Sequence, residues 1–203
     1  MMFDILLFAA DGSQIGRGTP APAGDGAFCT LPVSRAHLAA AGARLTLRCT
    51  VPITGLQGYW HPGMSRPAAQ IQWHIAFASA AQRNVPYLAF FGQDQTNRAT
   101  LALTCVHEDV EITANVNQQA AVYEIAMTVA VRAETEPFAV LASDQPVPWT
   151  ALTAPYRQVL GTAAPAFPPA AFLPVYCTWY AVHAALDMDY LETSATQAAA
   201  LGF

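Results

Sequence analysis

The sequence predicts a mostly β protein, with its strands in large facing antiparallel sheets, then a proline-rich linker and one terminal strand–helix unit. Three observations carry this. Apolar and polar residues alternate with period two in several stretches before residue 142. Turn residues separate those stretches at close spacing, and no long helical pattern interrupts them. Beyond Ser143 the composition changes: Asp144 to Pro174 holds seven prolines. The expected divisions are a sheet domain over 1–143, a linker with a short helix over 144–173, and a strand–helix unit over 174–203.

In chain order, Phe3 to Phe8 is a short apolar strand followed by the turn signal Asp11-Gly12. Residues 16–26 are mainly Gly, Pro and Ala and read as loop, and Phe28 to Val33 as a second strand. Arg44 to Val51 puts Leu45, Leu47, Cys49 and Val51 on one face and Arg44, Thr46, Arg48 and Thr50 on the other, the pattern of a half-buried antiparallel strand. Residues 52–69 read as a turn-rich loop holding Tyr59, Trp60, His61 and Pro62. Gln70 to Phe77 alternates again, which predicts Trp73 in the core. Tyr87 to Phe91 and Ala99 to Cys105 flank a hairpin connection over 92–97. Val110 to Val116, Tyr123 to Val131 and Phe138 to Leu141 complete the strands. His37 to Ala43 is rich in alanine but short for a helix.

Within the proline-rich stretch, Trp149, Leu152, Tyr156 and Leu160 fall at spacings of three and four. That is one short amphipathic helix beginning near Pro148. Pro174 to His183 is aromatic and β-branched and reads as a buried strand. Asp189 and Glu192 have capping-box spacing, Leu191, Ala195, Ala198 and Leu201 share a helical face, and Gly202 sits where a helix stops. A parallel strand needs a partner after its crossover helix. The sequence ends where that partner would begin, so a truncated barrel is expected.

Composition narrows the function classes. The chain of 203 residues is 54% hydrophobic and only 11% charged, enough apolar material for a sizeable core. So low a charge leaves surface to be covered by further sequence or by a partner. The net charge of −5 without a basic run argues against nucleic acid and anionic membranes as partners. All nine basic residues are arginine, so no lysine chemistry is available. Cys29, Cys49, Cys105 and Cys177 lack metal-binding spacing, and Cys49 and Cys105 fall on the apolar phase of strands as buried thiols. No cofactor or metal is implied. The N-terminal apolar run carries Asp4 and lacks a basic leader, and no run is long enough to span a membrane, so a cytoplasmic protein is expected.

Pro174, Val175, Tyr176, Thr178, Trp179 and Tyr180, followed by a helix ending Ala198 to Gly202, resemble the first barrel strand and helix of the family 36 α-galactosidases, melibiase-type glycoside hydrolases. Weaker landmarks lie at Gly58 to Pro62, at Asn97 to Leu103 and at Trp73. The resemblance implies an antiparallel β-supersandwich, then a (β/α)8 barrel of which this chain holds one β/α unit. It implies a parent enzyme that hydrolyses terminal α-galactosides with retention, using two aspartates. Those aspartates lie on later barrel strands, one in a Lys-x-Asp context, and the sugar-binding Asp-Asp-Gly-Trp segment also lies later. The sequence contains neither motif, so this chain is expected to be non-catalytic, structural and oligomerising, with a second copy or the barrel as partner.

Trp179 is the position that transfers: in the family it faces the sugar, and packing in a core is the alternative. Trp60 and His61 are read first as packing or oligomer contacts and second as galactoside contacts, reached from a neighbouring subunit. His183 is read as structural or exposed, and Asp187 and Asp189 as helix-capping groups. Two other readings are a stand-alone carbohydrate-binding module and a mutarotase-like isomerase drawing on His74, His107 and Glu124.

Overall fold

The computed structural model describes residues 3–23, 26–162, 166, 168, 182, 183, 185 and 187–202. The strands in chain order begin with β1 (Ile5–Phe8), β2 (Gln14–Gly18), β3 (Ala21–Ala23) and β4 (Phe28–Val33). A short helix α1 (Arg35–Ala41) leads to β5 (Arg44–Pro52), β6 (Gly58–Trp60), β7 (His74–Ser79) and β8 (Tyr87–Phe91). Then come β9 (Asn97–Leu103), β10 (Val110–Asn117), β11 (Val122–Ala130) and β12 (Phe138–Ser143). A 3₁₀ turn (Trp149–Leu152) runs into α2 (Thr153–Val159), and α3 (Met188–Ala200) follows. The chain divides into two compact units, 1–162 and 163–203.

The first unit is built from two six-stranded sheets, ordered β2-β1-β5-β11-β10-β7 and β3-β4-β12-β9-β8-β6. Every strand pair is antiparallel. The alternation in the sequence explains the core. Leu45, Leu47 and Val51 of β5, with Tyr123, Ile125, Met127 and Val129 of β11, point to one side and are buried. They share a cluster with Leu88, Phe90, Leu101, Leu103 and Val140 of the second sheet. The Phe90 and Tyr123 rings, 4.9 Å apart, join the two sheets through this core.

β8 reads Tyr-Leu-Ala-Phe-Phe without alternation, and all five residues are buried. A strand apolar on both faces needs cover on both. Its second face, with Phe28, Ala102 and Leu141, is covered by Trp149, Leu152 and Tyr156. The helical spacing expected of the proline-rich stretch is therefore present, and the helix is packed as part of the first unit. Tyr156 donates its hydroxyl to the Leu103 carbonyl at 2.9 Å. Burial pushes the Tyr156 phenol up, which keeps it a donor.

Several expectations are corrected. Residues 16–26 are not all loop, since β2 and β3 lie there, and β6 lies within the expected loop 52–69. Each is the outermost strand of its sheet or, for β6, the far edge. Residues 35–41 do form a helix, because Ser34 and His37 cap it reciprocally: the Ser34 Oγ accepts from the His37 N–H at 3.3 Å, and the His37 Nδ1 accepts from the Ser34 N–H at 3.2 Å. Gly42, at φ 71°, ends it.

Trp73 is not in the core; it is 65% exposed. Pairing of β7 with β10 begins at His74 opposite Asn115, so Trp73 lies beyond the strand although its phase matches Ile75. In α3 the cap is Asp187, which accepts from the Tyr190 N–H at 2.6 Å, and Asp189 stands within the first turn instead of capping. Gly202, at φ 85°, stops this helix as expected. Cys49 and Cys105 are half-buried against the core rather than fully enclosed, and both are free thiols. Desolvation pushes each up to about 12. Among the described residues, no helix is long and apolar enough to cross a membrane.

Candidate functional site

The strands of the first sheet turn one face to the core and the other outward, so their polar phase forms a continuous surface. Register sets its rows. Thr50 is opposite Glu124, Glu124 opposite Asn115, and Asn115 opposite His74. One row along, Leu6 is opposite Arg48, Arg48 opposite Ala126, and Ala126 opposite Thr113. Between these rows lies an open cleft of about 550 Å³. Leu6, Phe8 and Ala126, all half-buried, give it an apolar floor; Asp4, Arg48, Thr50, Asn115 and Glu124 stand exposed around them.

The polar groups are held by neighbours on the same sheet. The His74 Nδ1 and Asn115 Oδ1 are 2.5 Å apart. Glu124 accepts from the Asn117 side-chain amide at 2.7 Å. Asp4 accepts two bonds from Arg17, at 2.9 and 2.8 Å. The Arg48 guanidinium lies over the Phe8 ring, 4.6 Å from its centroid, an arrangement that satisfies the cation without a carboxylate.

Of the residues singled out from the sequence, the sheet brings His74 and Glu124 to one row, with Asn115 between them. His107 is exposed on the connection before β10 and does not line this cleft. Asp4, Arg48 and Asn115 belong to no sequence motif; the signal that finds them is outward phase, Asp4 immediately before β1, Arg48 on β5 and Asn115 on β10. Among the described residues no group of three His, Cys, Asp or Glu side chains could hold a metal ion.

Trp60 and His61 stand elsewhere. The Trp60 ring packs on Trp149 at 5.3 Å and edge-on to Tyr87 at 5.9 Å. His61 stacks on Phe77 with centroids 3.9 Å apart and planes within 3°. Its Nδ1 accepts from the Gly63 N–H at 3.2 Å. Trp179 lies outside the described residues. His183 is exposed, with φ 48°.

Burial lowers the His61 imidazole below its ordinary value of 6.5. As pH falls, the unfolded chain therefore takes up this proton before the folded one does. The contribution of His61 to stability is level above about pH 6.5 and declines as pH drops through that value. In His61→Phe, which keeps a ring on Phe77 but cannot titrate, that decline is absent. Melting temperatures of both proteins from about pH 8 to 5 check this: the wild type should lose ground to the variant only below about pH 6.5. A constant difference across the range would show that His61 does not titrate against folding.

No protein-family model matches the chain, and neither a curated protein nor a solved structure matches it.

Proposed function

We propose that this chain is the N-terminal β-supersandwich part, with the first β/α unit of the barrel, of a family 36 α-galactosidase-like glycoside hydrolase, and that it is a non-catalytic, oligomerising scaffold. The observation that carries this reading is the order of parts. Two large antiparallel sheets come first. A helix whose apolar side covers the second sheet follows. Then comes the Pro-Val-Tyr-x-Thr-Trp-Tyr segment and a helix that ends at Leu201-Gly202. The geometry of the described residues is compatible with a scaffold: four large aromatic side chains, Trp60, Tyr87, Trp149 and Tyr156, pack on one another.

The parent reaction needs two carboxylates across a glycosidic bond, about 5 Å apart for retention. The sequence holds neither family motif that supplies them. Purified chain incubated with 4-nitrophenyl α-D-galactoside is therefore expected to release no nitrophenol above the uncatalysed rate. Light scattering is expected to return a mass above that of one chain. Turnover that co-purifies with the protein would overturn the non-catalytic assignment, and a strictly monomeric mass would overturn the oligomerising one.

A further inference from the structure

We infer that the free edge of β7 pairs with the same edge of a second copy of this chain, antiparallel about a two-fold axis at Ile75, with each Trp73 covered by Phe77 of the other copy. The pairing rests on the oligomerising reading above and gives that reading its surface.

The four sheet edges are finished differently. A regular, uncharged edge strand invites a further strand, and folds usually blunt it with proline, a bulge, charge or cover. β3 is three residues centred on Pro22. β2 has a register shift against β1 and carries the Arg17–Asp4 ion pair. β6 is three residues long, and its outer side is taken by Ala68, which exchanges backbone bonds with Tyr59. β7 has none of these devices. It is six residues, His-Ile-Ala-Phe-Ala-Ser, without Pro, Gly, Asp, Glu or Arg, and it pairs with β10 without a shift.

Hydrogen-bond phase identifies the open groups. The Val116 N–H donates to the Trp73 carbonyl at 3.0 Å, so the odd-numbered residues of β7 turn their N–H and C=O to β10 and the even-numbered ones turn theirs away. The Ala78 carbonyl accepts from the Asn84 side-chain amide at 3.1 Å. At the other end the Gln72 carbonyl accepts from the Tyr123 hydroxyl. Between these stops, the backbone groups of His74 and Ala76 have no partner among the described residues. That set is self-complementary. In an antiparallel pair centred on Ile75, His74 of each copy stands opposite Ala76 of the other, and each such pair exchanges two bonds. The operation is a closed two-fold, so pairing through this edge stops at a dimer.

The side chains suit the same register. It sets Trp73 opposite Phe77 of the other copy at a non-hydrogen-bonded position, where side chains come closest. Trp73 is 65% exposed and lines a notch of about 420 Å³ with Ile53, Ile71 and Val116. Phe77 is half-buried, its ring backed by His61. Pairing therefore covers an exposed tryptophan with a ring already held in place. On the outer face His74 meets an alanine, and the β10 residues beyond them are Asn115 and Thr113, so no like charges are opposed. An isologous surface must match itself, and a neutral one does. One strand pair and two tryptophans make a small interface, so the dimer is expected to depend on concentration.

The test is sedimentation of the full chain from about 1 to 200 µM, which should show a monomer–dimer equilibrium with a dissociation constant on the order of 10 µM. Trp73→Ala changes an exposed side chain, and Ala76→Pro removes an outward N–H at an edge, where proline is tolerated. Each should weaken the dimer by roughly tenfold or more. Arg35→Ala, whose pairing with Glu136 lies off this edge, should leave it unchanged. Hydrogen exchange at the His74 and Ala76 amides of the unsubstituted chain should slow as concentration rises while that at β11 amides does not, a readout that needs no variant to fold. A chain that stays monomeric throughout would overturn the oligomerising reading and this surface together. An oligomer that keeps its mass in both edge variants would overturn the surface alone and leave that reading standing. So would an oligomer in which exchange at His74 and Ala76 does not depend on concentration, since the edge would then be open in it or covered within one chain.

Discussion

Replacing Trp149 by alanine is expected to cost about 3–5 kcal/mol of unfolding free energy, the range for removing a large buried aromatic side chain. Trp149 is only 8% exposed although it lies in a proline-rich stretch. Its ring stacks on Phe91 at 5.4 Å and packs on Trp60 at 5.3 Å. Its indole N–H donates to the Gln95 side chain at 3.2 Å, and its backbone N–H to the Gln95 carbonyl at 3.2 Å. The chain leading to it is tied to the same hairpin. The Asn97 N–H donates to the Val147 carbonyl at 2.8 Å, and the Asn97 side-chain amide donates to the carbonyls of Ser143 and Gln145. With its neighbours fixed in this way, the site cannot collapse around the smaller residue, which puts the cost at the cavity-forming end. Guanidinium unfolding checks it: the midpoint should fall while the slope is unchanged. Trp149→Phe, which keeps the stacking and loses the indole donor, should cost only about 1 kcal/mol. A loss of under about 0.5 kcal/mol for the alanine variant would mean that the stretch is a surface connection after all.

This position also shows what the sequence discloses and what it withholds. The spacing of Trp149, Leu152, Tyr156 and Leu160 reveals a helix with an apolar side, but spacing does not say what that side covers. The partner is the non-alternating run of β8, whose need for cover on both faces is legible once the two are considered together. Interior strands such as β5 and β11 announce themselves because both neighbours enforce the period of two. Edge strands do not. β2 carries Gly16 and Gly18, β3 centres on Pro22, and β6 opens with Gly58, residues that weaken a strand signal but are tolerated at a sheet edge. Trp73 misleads in the opposite direction: its alternation with Ile71 and Ile75 runs past the point where pairing stops.

The cleft is legible only in part for a related reason. Outward phase marks Arg48, Glu124, Asn115 and His74 as exposed on their own strands, and nothing local says which of them are neighbours. That depends on strand order and on register. The turn 118–121, with Ala121 at φ 52°, joins β10 to β11 so that Asn115 meets Glu124. β5 is brought beside β11 from far along the chain. A shift of one residue in either pairing would turn these side chains to the core, so the buried face fixes the register that assembles the exposed one.

Gly58→Ala is expected to cost about 3 kcal/mol, at the upper end for overpacking by a single methyl group. Gly58 is buried on β6, opposite Phe91. A Cβ there would lie 2.2 Å from the Ala68 carbonyl oxygen and 2.7 Å from two Phe91 ring carbons. Neither obstacle is the loose end of a flexible side chain. The Phe91 ring is held by Trp149. The Ala68 carbonyl is part of a backbone bridge in which Tyr59 and Ala68 exchange N–H donations at 3.3 and 3.0 Å. Relief therefore requires the segment around Ala68 to move off β6, which breaks those bonds and also strains the Gln57 side-chain bond to the Ala69 carbonyl at 3.0 Å. The expected signature has two parts: a lowered denaturant midpoint, and faster hydrogen exchange at Tyr59 and Ala68 than at β5 or β11 amides, whose ladders are untouched. Gly55→Ala serves as the comparison. Its cost is a positive φ of 80° with no close atom except Arg98 Nε at 3.9 Å, so it should lose about 1 kcal/mol without changing exchange at Ala68. If both variants lose the same stability with the same exchange pattern, close approach is not what requires glycine at position 58.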